Sequence, residues 1–126
     1  MTTARSERSR NLIIIPGKPV PKGRPRMTKT GHVYTPEPTS THEDWTRWAI
    51  KASGHTAEPD PHKTYRLTAV YYLAKGQRAD VDNLLKLSMD ALQGLVYTND
   101  KQVTEVAASV RRNGEPRTEL LIEVIA

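Results

Sequence analysis

Residues 64–93 read TYRLTAVYYLAKGQRADVDNLLKLSMDALQ, and their hydrophobic period changes part-way. Tyr65, Leu67, Ala69, Tyr71 and Leu73 recur at every second position, which is the pattern of a strand with one buried face over residues 64–74. Lys75 to Val81 breaks that alternation as a loop. From Asn83 to Gln93, Leu85, Met89 and Leu92 share one side of a helix, Leu84, Leu87 and Ala91 lie beside them, and Gly94 ends it. A strand that feeds an amphipathic helix buries both faces most simply when the helix packs back on a sheet.

Working outward, Val103 to Arg111 alternates as a strand with Val106, Ala108 and Val110 inward. Asn113-Gly114 is a turn signal. Arg117 to Ile125 is the last strand, with Leu120, Ile122 and Val124 inward. Towards the N-terminus, Leu12 to Ile15 is a short apolar run closed by Pro16-Gly17, a buried first strand. Ser40 and Glu43 fit a capping box that opens a helix. Its apolar stripe is Trp45, Trp48, Ala49 and Ala52, which places both tryptophans in the core. Residues 55–63 form a linker. The order β-α-β-α-β-β predicts an α/β (α+β) fold, a single domain whose mixed sheet carries two packed helices. Residues 1–10 (MTTARSERSR) are polar, basic and aperiodic, a disordered lead-in to a domain over residues 11–126.

The 126 residues suit one domain. Lys and Arg number 19 against 14 Asp and Glu, a net charge of +5 that favours an anionic partner. With no cysteine, a disulfide framework, a cysteine nucleophile and a thiolate zinc site are all excluded. A reducing compartment fits, so the expected location is the cytoplasm. No apolar run approaches the roughly 18 residues of a membrane span, and no membrane partner is expected. His32, His42, His55 and His62 lack metal-ligand spacing. No Walker loop, dinucleotide fingerprint or serine elbow is present, so no small-molecule cofactor is expected.

Residues 16–38 hold six prolines and three glycines, which argues against regular sheet or helix there. The same stretch carries Lys18, Lys22, Arg24, Arg26 and Lys29, with no acid before Glu37. A basic strip of this kind is either a plain solvated segment or one that neutralises phosphates, and we read these five residues as DNA-binding.

The chemistry gathers in Asp80, Asp82, Asn83, Lys86 and Asp90, followed by Asp100. Asp80 and Asp82 are two apart on chain entering a helix, so their side chains can point the same way. Lys86 lies one helical turn past Asp82, and Asp90 one turn past Lys86. Asp100 follows a short turn and is expected to fold against the start of the helix. Carboxylates of this type suit a hard divalent cation such as Mg²⁺, which orients water at a phosphodiester. Singly, each residue has a plainer reading. Asp82 serves as an N-cap, Asp80 is solvated, Lys86 forms surface pairs, and Asp100 shapes a turn. Spacing alone leaves both readings standing.

The pattern Asp80-x-Asp82-Asn83-Leu84-x-Lys86-x-x-x-Asp90-Ala91-Leu92, then Asn99-Asp100-x-x-Val103, resembles the signature of the RusA family of Holliday junction resolvases. The loop Gly17 to Arg26, followed by Gly31 to Pro36, is similar to the N-terminal part of phage and Gram-positive members. The resemblance spans residues 12 to 125. It implies a Mg²⁺-dependent endodeoxyribonuclease, with Mn²⁺ as a substitute, that cuts four-way junctions as a homodimer in recombination, repair or phage DNA processing. It implies Asp80, Asp82 and Asp100 as metal ligands, Lys86 as the catalytic lysine, and Asn83 and Asp90 as supporting residues behind them. Many members carry two acids where this chain has Asn99-Asp100. The alternative is a branched-DNA binding protein without catalysis. An RNA-processing nuclease would use the same site.

Overall fold

Burial alternates strictly along Tyr65–Tyr72, one of the two interior strands of the sheet, so one of its faces is covered. The computed structural model describes residues 12–22, 26–27, 31, 33–34, 37–54 and 58–126, so the expected lead-in at 1–10 lies outside the described residues. In chain order the elements are β1 (Leu12–Pro16), β2 (Arg26–Met27), β3 (Val33–Tyr34), α1 (Glu37–Ala52), β4 (Tyr65–Tyr72), α2 (Val81–Leu92), a 3₁₀ turn (Asp100–Gln102), β5 (Val103–Arg111) and β6 (Arg117–Val124). The main sheet has the order β1-β6-β4-β5. β4 pairs with β5 in parallel and with β6 antiparallel, and β6 pairs antiparallel with β1. The fold is the expected single α+β domain, a mixed sheet under two helices.

One sheet face supplies Ile13, Ile15, Leu67, Ala69, Tyr71, Leu120 and Ile122 to the core, and the helices supply Ala49, Ile50, Leu84, Ala91 and Leu92. Tyr71 is 1% exposed, and its hydroxyl donates to the buried Ser88 Oγ at 3.0 Å. The Tyr97 hydroxyl donates to the Met89 carbonyl at 2.7 Å, which fastens the chain after α2 to the helix it has just left.

Four expectations are corrected. Trp45 and Trp48 are not core: they are 39% and 59% exposed and stack on each other with centroids 5.0 Å apart. The buried stripe is rotated by one residue onto Thr46, Ala49 and Ile50. Thr46 tolerates burial because its hydroxyl donates to the His42 carbonyl at 2.8 Å. Second, α1 starts at Glu37 rather than Ser40, with Pro38 in the first turn, where a missing N–H costs no helical bond. Third, Val106, Ala108 and Val124 are exposed rather than inward. Val106 and Ala108 register with Leu67 and Ala69, but β5 is an edge strand. Fourth, the proline-rich segment contains β2 and β3, which pair antiparallel. Asn113-Gly114 is a turn, with Gly114 at φ +95°, but the strands it joins do not pair; the connection passes the end of β4.

Burial pushes the Tyr71 hydroxyl up to about 12 and raises that of Tyr97, where the Asp100 and Asp90 charges add to burial. Both tyrosines therefore keep their protons to higher pH folded than unfolded, where ionisation falls near 10. Their contribution to stability is intact below pH 10 and is lost as pH rises through 10 to about 12. Alkaline titration should show tyrosinate absorbance and loss of circular dichroism rising together. Ionisation of all five tyrosines with the fold intact would contradict the packing.

Candidate active site

The helix α2 begins beyond the carboxyl ends of the parallel strands β4 and β5, where ligand sites of α/β sheets form. The loop leading to it is tied on three sides through Gln77. Its Oε1 accepts from the Ala74 N–H at 2.9 Å, its Nε2 donates to the Pro19 carbonyl at 2.6 Å, and its own carbonyl accepts from Arg112 Nη1 at 2.7 Å. This holds Asp80 in extended conformation as the N-cap of α2, with its carbonyl accepting from the Leu84 N–H at 3.1 Å.

Asp80 makes no side-chain cap bond, although aspartate at this position ordinarily does so. Asp82 sits in the first turn, and Asp80, Asp82 and Lys86 are all exposed. The plainer reading of Asp82 as the N-cap is therefore replaced: the cap position belongs to Asp80, and its carboxylate is not used for capping. The positive end of the helix dipole favours both carboxylates here. Two carboxylate oxygen donors with room for water fit a Mg²⁺-type ion, which is usually bound through one or two carboxylates.

Lys22 lies along the same helix as a strap. Its backbone N–H donates to the Asn83 carbonyl at 3.0 Å. Its ammonium pairs with the Asp90 carboxylate and lies 3.8 Å from Glu43 Oε1. Asp90 thus holds the segment between β1 and β2 against α2, and the Lys22 charge is engaged by carboxylates. The last turn of α2 has no basic residue of its own; Arg47 of α1 supplies one, donating to the Asp90 carbonyl at 3.0 Å and the Ala91 carbonyl at 3.4 Å. Of the other basic residues of this segment, Lys18 is exposed and Arg26 belongs to β2, while Arg24 and Lys29 lie outside the described residues.

Asp100 does not fold against the start of α2. Its N–H donates to Gln93 Oε1 at 3.2 Å, which places it at the far end of that helix. The 12 residues of α2 are about 18 Å long. Among the described residues no group of three or more His, Cys, Asp or Glu converges as a metal site. The Asp100 turn is nevertheless built firmly. The Gln102 Oε1 accepts from the Thr98 N–H, the Thr98 hydroxyl and the Asn99 N–H, and its Nε2 donates to the Asp60 and Lys63 carbonyls, all at 3.1 Å or less. Sequence reasoning misses both glutamines. Asn99-x-x-Gln102 carries a capping-box signal; for Gln77 there is none, because its three partners come together only in the fold.

The family described as Endodeoxyribonuclease RusA matches residues 16–123, from the end of β1 almost to the end of β6. The chain belongs to the RusA endodeoxyribonuclease family. It is also similar to the uncharacterized protein YqaN of Bacillus subtilis (strain 168), with 29% identity over 132 residues that cover 87% of this chain and 93% of that protein. RusA membership supports a nuclease activity and implies branched DNA as ligand and a metal as aid. Among the described residues no helix is long and apolar enough to cross a membrane.

Two substitutions separate the ties. Gln102→Ala leaves several amides and carbonyls of the Asp100 turn without partners and should lower the unfolding free energy by about 2–4 kcal/mol. Lys22→Met removes a partly exposed ion pair and should cost no more than about 1 kcal/mol. Urea denaturation of both variants measures the order; the reverse order would contradict these assignments.

Proposed function

We propose that the chain nicks four-way DNA junctions with Mg²⁺, or with Mn²⁺ in its place, as a symmetric homodimer in the bacterial cytoplasm, encoded by host or phage. One observation supports this most directly: Asp80 occupies an N-cap without capping, beside Asp82, which lies one turn before the exposed Lys86. Asp80 and Asp82 would hold the ion. Bound there, the ion supplies an activated water and offsets phosphate charge. The Lys86 ammonium, on the same helix face, faces the phosphate and compensates charge on its oxygens.

Asp100 joins this set only from a second copy, since in its own chain it lies at the far end of α2. A two-fold dimer fits that requirement, because each protomer offers both halves of the set. It also fits the substrate, since resolution needs two symmetry-related nicks. A binder without catalysis gains nothing from exposed carboxylates aimed at phosphate.

A labelled four-way junction should be cut with Mg²⁺ and left intact with chelator, and matched duplex should be spared. Asp82→Asn and Asp100→Asn should each abolish cutting and preserve junction binding, as should Lys86→Ala. Mixing the Asp82→Asn and Asp100→Asn proteins should restore nicking, because one of the two sites in a mixed dimer regains a full set. A mixture that binds the junction and stays inactive would show that the carboxylates are not shared. Cutting in excess chelator would refute the metal site.

A further inference from the structure

The carboxyl end of the sheet carries a second concentration of positive charge, distinct from that of the proline-rich segment beyond Pro19. β4 and β5 end together, with Tyr72 opposite Arg111, and β6 begins beside them, with Tyr72 opposite Arg117. β1 ends there too, with Pro16 opposite Arg117, and leads into Lys18. Lys18, Lys75, Arg78, Arg111 and Arg112 are all exposed at this end. Within residues 16–19, 73–79 and 111–117 the sole acid is Glu115. Arg117 is engaged otherwise: it bonds Glu119 at 2.7 Å and lies over the Tyr72 ring at 3.7 Å.

Between the Lys75-Gly76 turn and the connection from β5 to β6 lies an open recess of about 560 Å³, floored by Leu73 and Ala74 and lined further by Lys75, Gly76, Arg112, Gly114 and Pro116. It is a built feature. Arg112 is held by its bond to the Gln77 carbonyl, and the Leu73 N–H donates to the Arg111 carbonyl at 2.8 Å. Gly76 has φ +78°, and a Cβ placed on it would meet nothing within 4 Å from beyond its two chain neighbours, so no distant part of the fold crowds that backbone.

We propose that this recess and its cationic rim bind the phosphodiester backbone of a duplex arm as it enters the active site. Lys75 and Arg112 take a phosphate between them, and Arg78, Arg111 and Lys18 extend the track. The same loop continues directly to Asp80. Five residues of chain reach at most about 17 Å. At about 3.4 Å of rise per phosphate on one strand, the recess lies within about five nucleotides of the cut. The rim thus fixes the arm that flanks the scissile phosphate, and the carboxylates are left to their metal. This assignment rests on the nuclease reading only for its choice of DNA as the anion.

The test uses the full chain in chelator, so that binding is read without cutting. A Lys75→Gln, Arg78→Gln, Arg111→Gln triple variant leaves the Arg112–Gln77 tie in place, and Lys51→Gln, at an exposed position in the last turn of α1 outside both the site and the rim, serves as the control. Binding to plain duplex and to a four-way junction is measured across a salt series, with circular dichroism to show that each variant is folded. The triple variant should bind at least roughly tenfold more weakly, and its log–log salt slope should flatten by about 0.9 for each phosphate it no longer neutralises. The control should match wild type. Arms shortened below about five base pairs should weaken wild type and leave the triple variant unaffected. A folded triple variant with wild-type slope and arm dependence overturns the proposal. Wild type that shows these binding effects but never cuts a junction with Mg²⁺ upholds the proposal and overturns the nuclease reading. Wild type that binds no DNA overturns both.

Discussion

Parallel pairing of β4 with β5 is the constraint that positions every other part of the molecule. Parallel neighbours cannot be joined by a tight turn; the chain must cross over the length of the strand before it re-enters the sheet. Here α2 makes that crossing. Its N-terminus must lie where β4 ends, and its C-terminus must lie near where β5 begins. Asp80 and Asp82 stand at the first point and Asp100, just before Val103, at the second. Carboxylates only 20 residues or fewer apart in sequence are thereby held at opposite ends of one helix. No side-chain rotamer spans that distance, so their separation within one chain follows from topology.

The ties around α2 are distributed accordingly. Gln77 holds its entry by joining the β1 exit, the loop and the chain after β5. Lys22 runs along its flank to Asp90, Arg47 satisfies carbonyls of its last turn, and Tyr97 closes its exit. Each tie reaches a different segment, so the helix is fixed in direction as well as position. The acidic start of α2 then faces the same end of the sheet as Lys18, Lys75, Arg78, Arg111 and Arg112. Negative charge concentrated at a helix start and positive charge spread around it form a pattern suited to a metal and a polyanion together, with each neutralising what would repel the other.

Much of this is legible in the residues themselves. Period-two burial in Tyr65, Leu67, Ala69, Tyr71 and Leu73 reads as a strand because successive Cβ atoms point to opposite faces, and all five are buried. The helix carrying Asp82, Lys86 and Asp90 is recognisable from its leucines, and the family from the carboxylate pattern. Where sequence reasoning fails, neighbours make the difference. The tryptophan stripe and the stripe centred on Ile50 differ by one residue of helix rotation, and only the position of α1 over β1 selects between them. Val106 and Ala108 alternate as buried residues do, but β5 is the outermost strand and both side chains are exposed there.

Local periodicity and residue type thus suffice for the two helices and the four strands of the main sheet, their order, the α+β class and the set of chemically active side chains, but not for the short β2–β3 pair. Which of those side chains meet is settled only by the folded chain. Folding pairs Lys22 with Asp90 and gives the N-cap to an aspartate that does not use it. It gathers five cations from three distant segments at one sheet end, and it sets Asp100 apart from Asp80 and Asp82. Those outcomes arise from strand order and crossover direction, which are properties of the whole chain and leave no mark on any single stretch of residues.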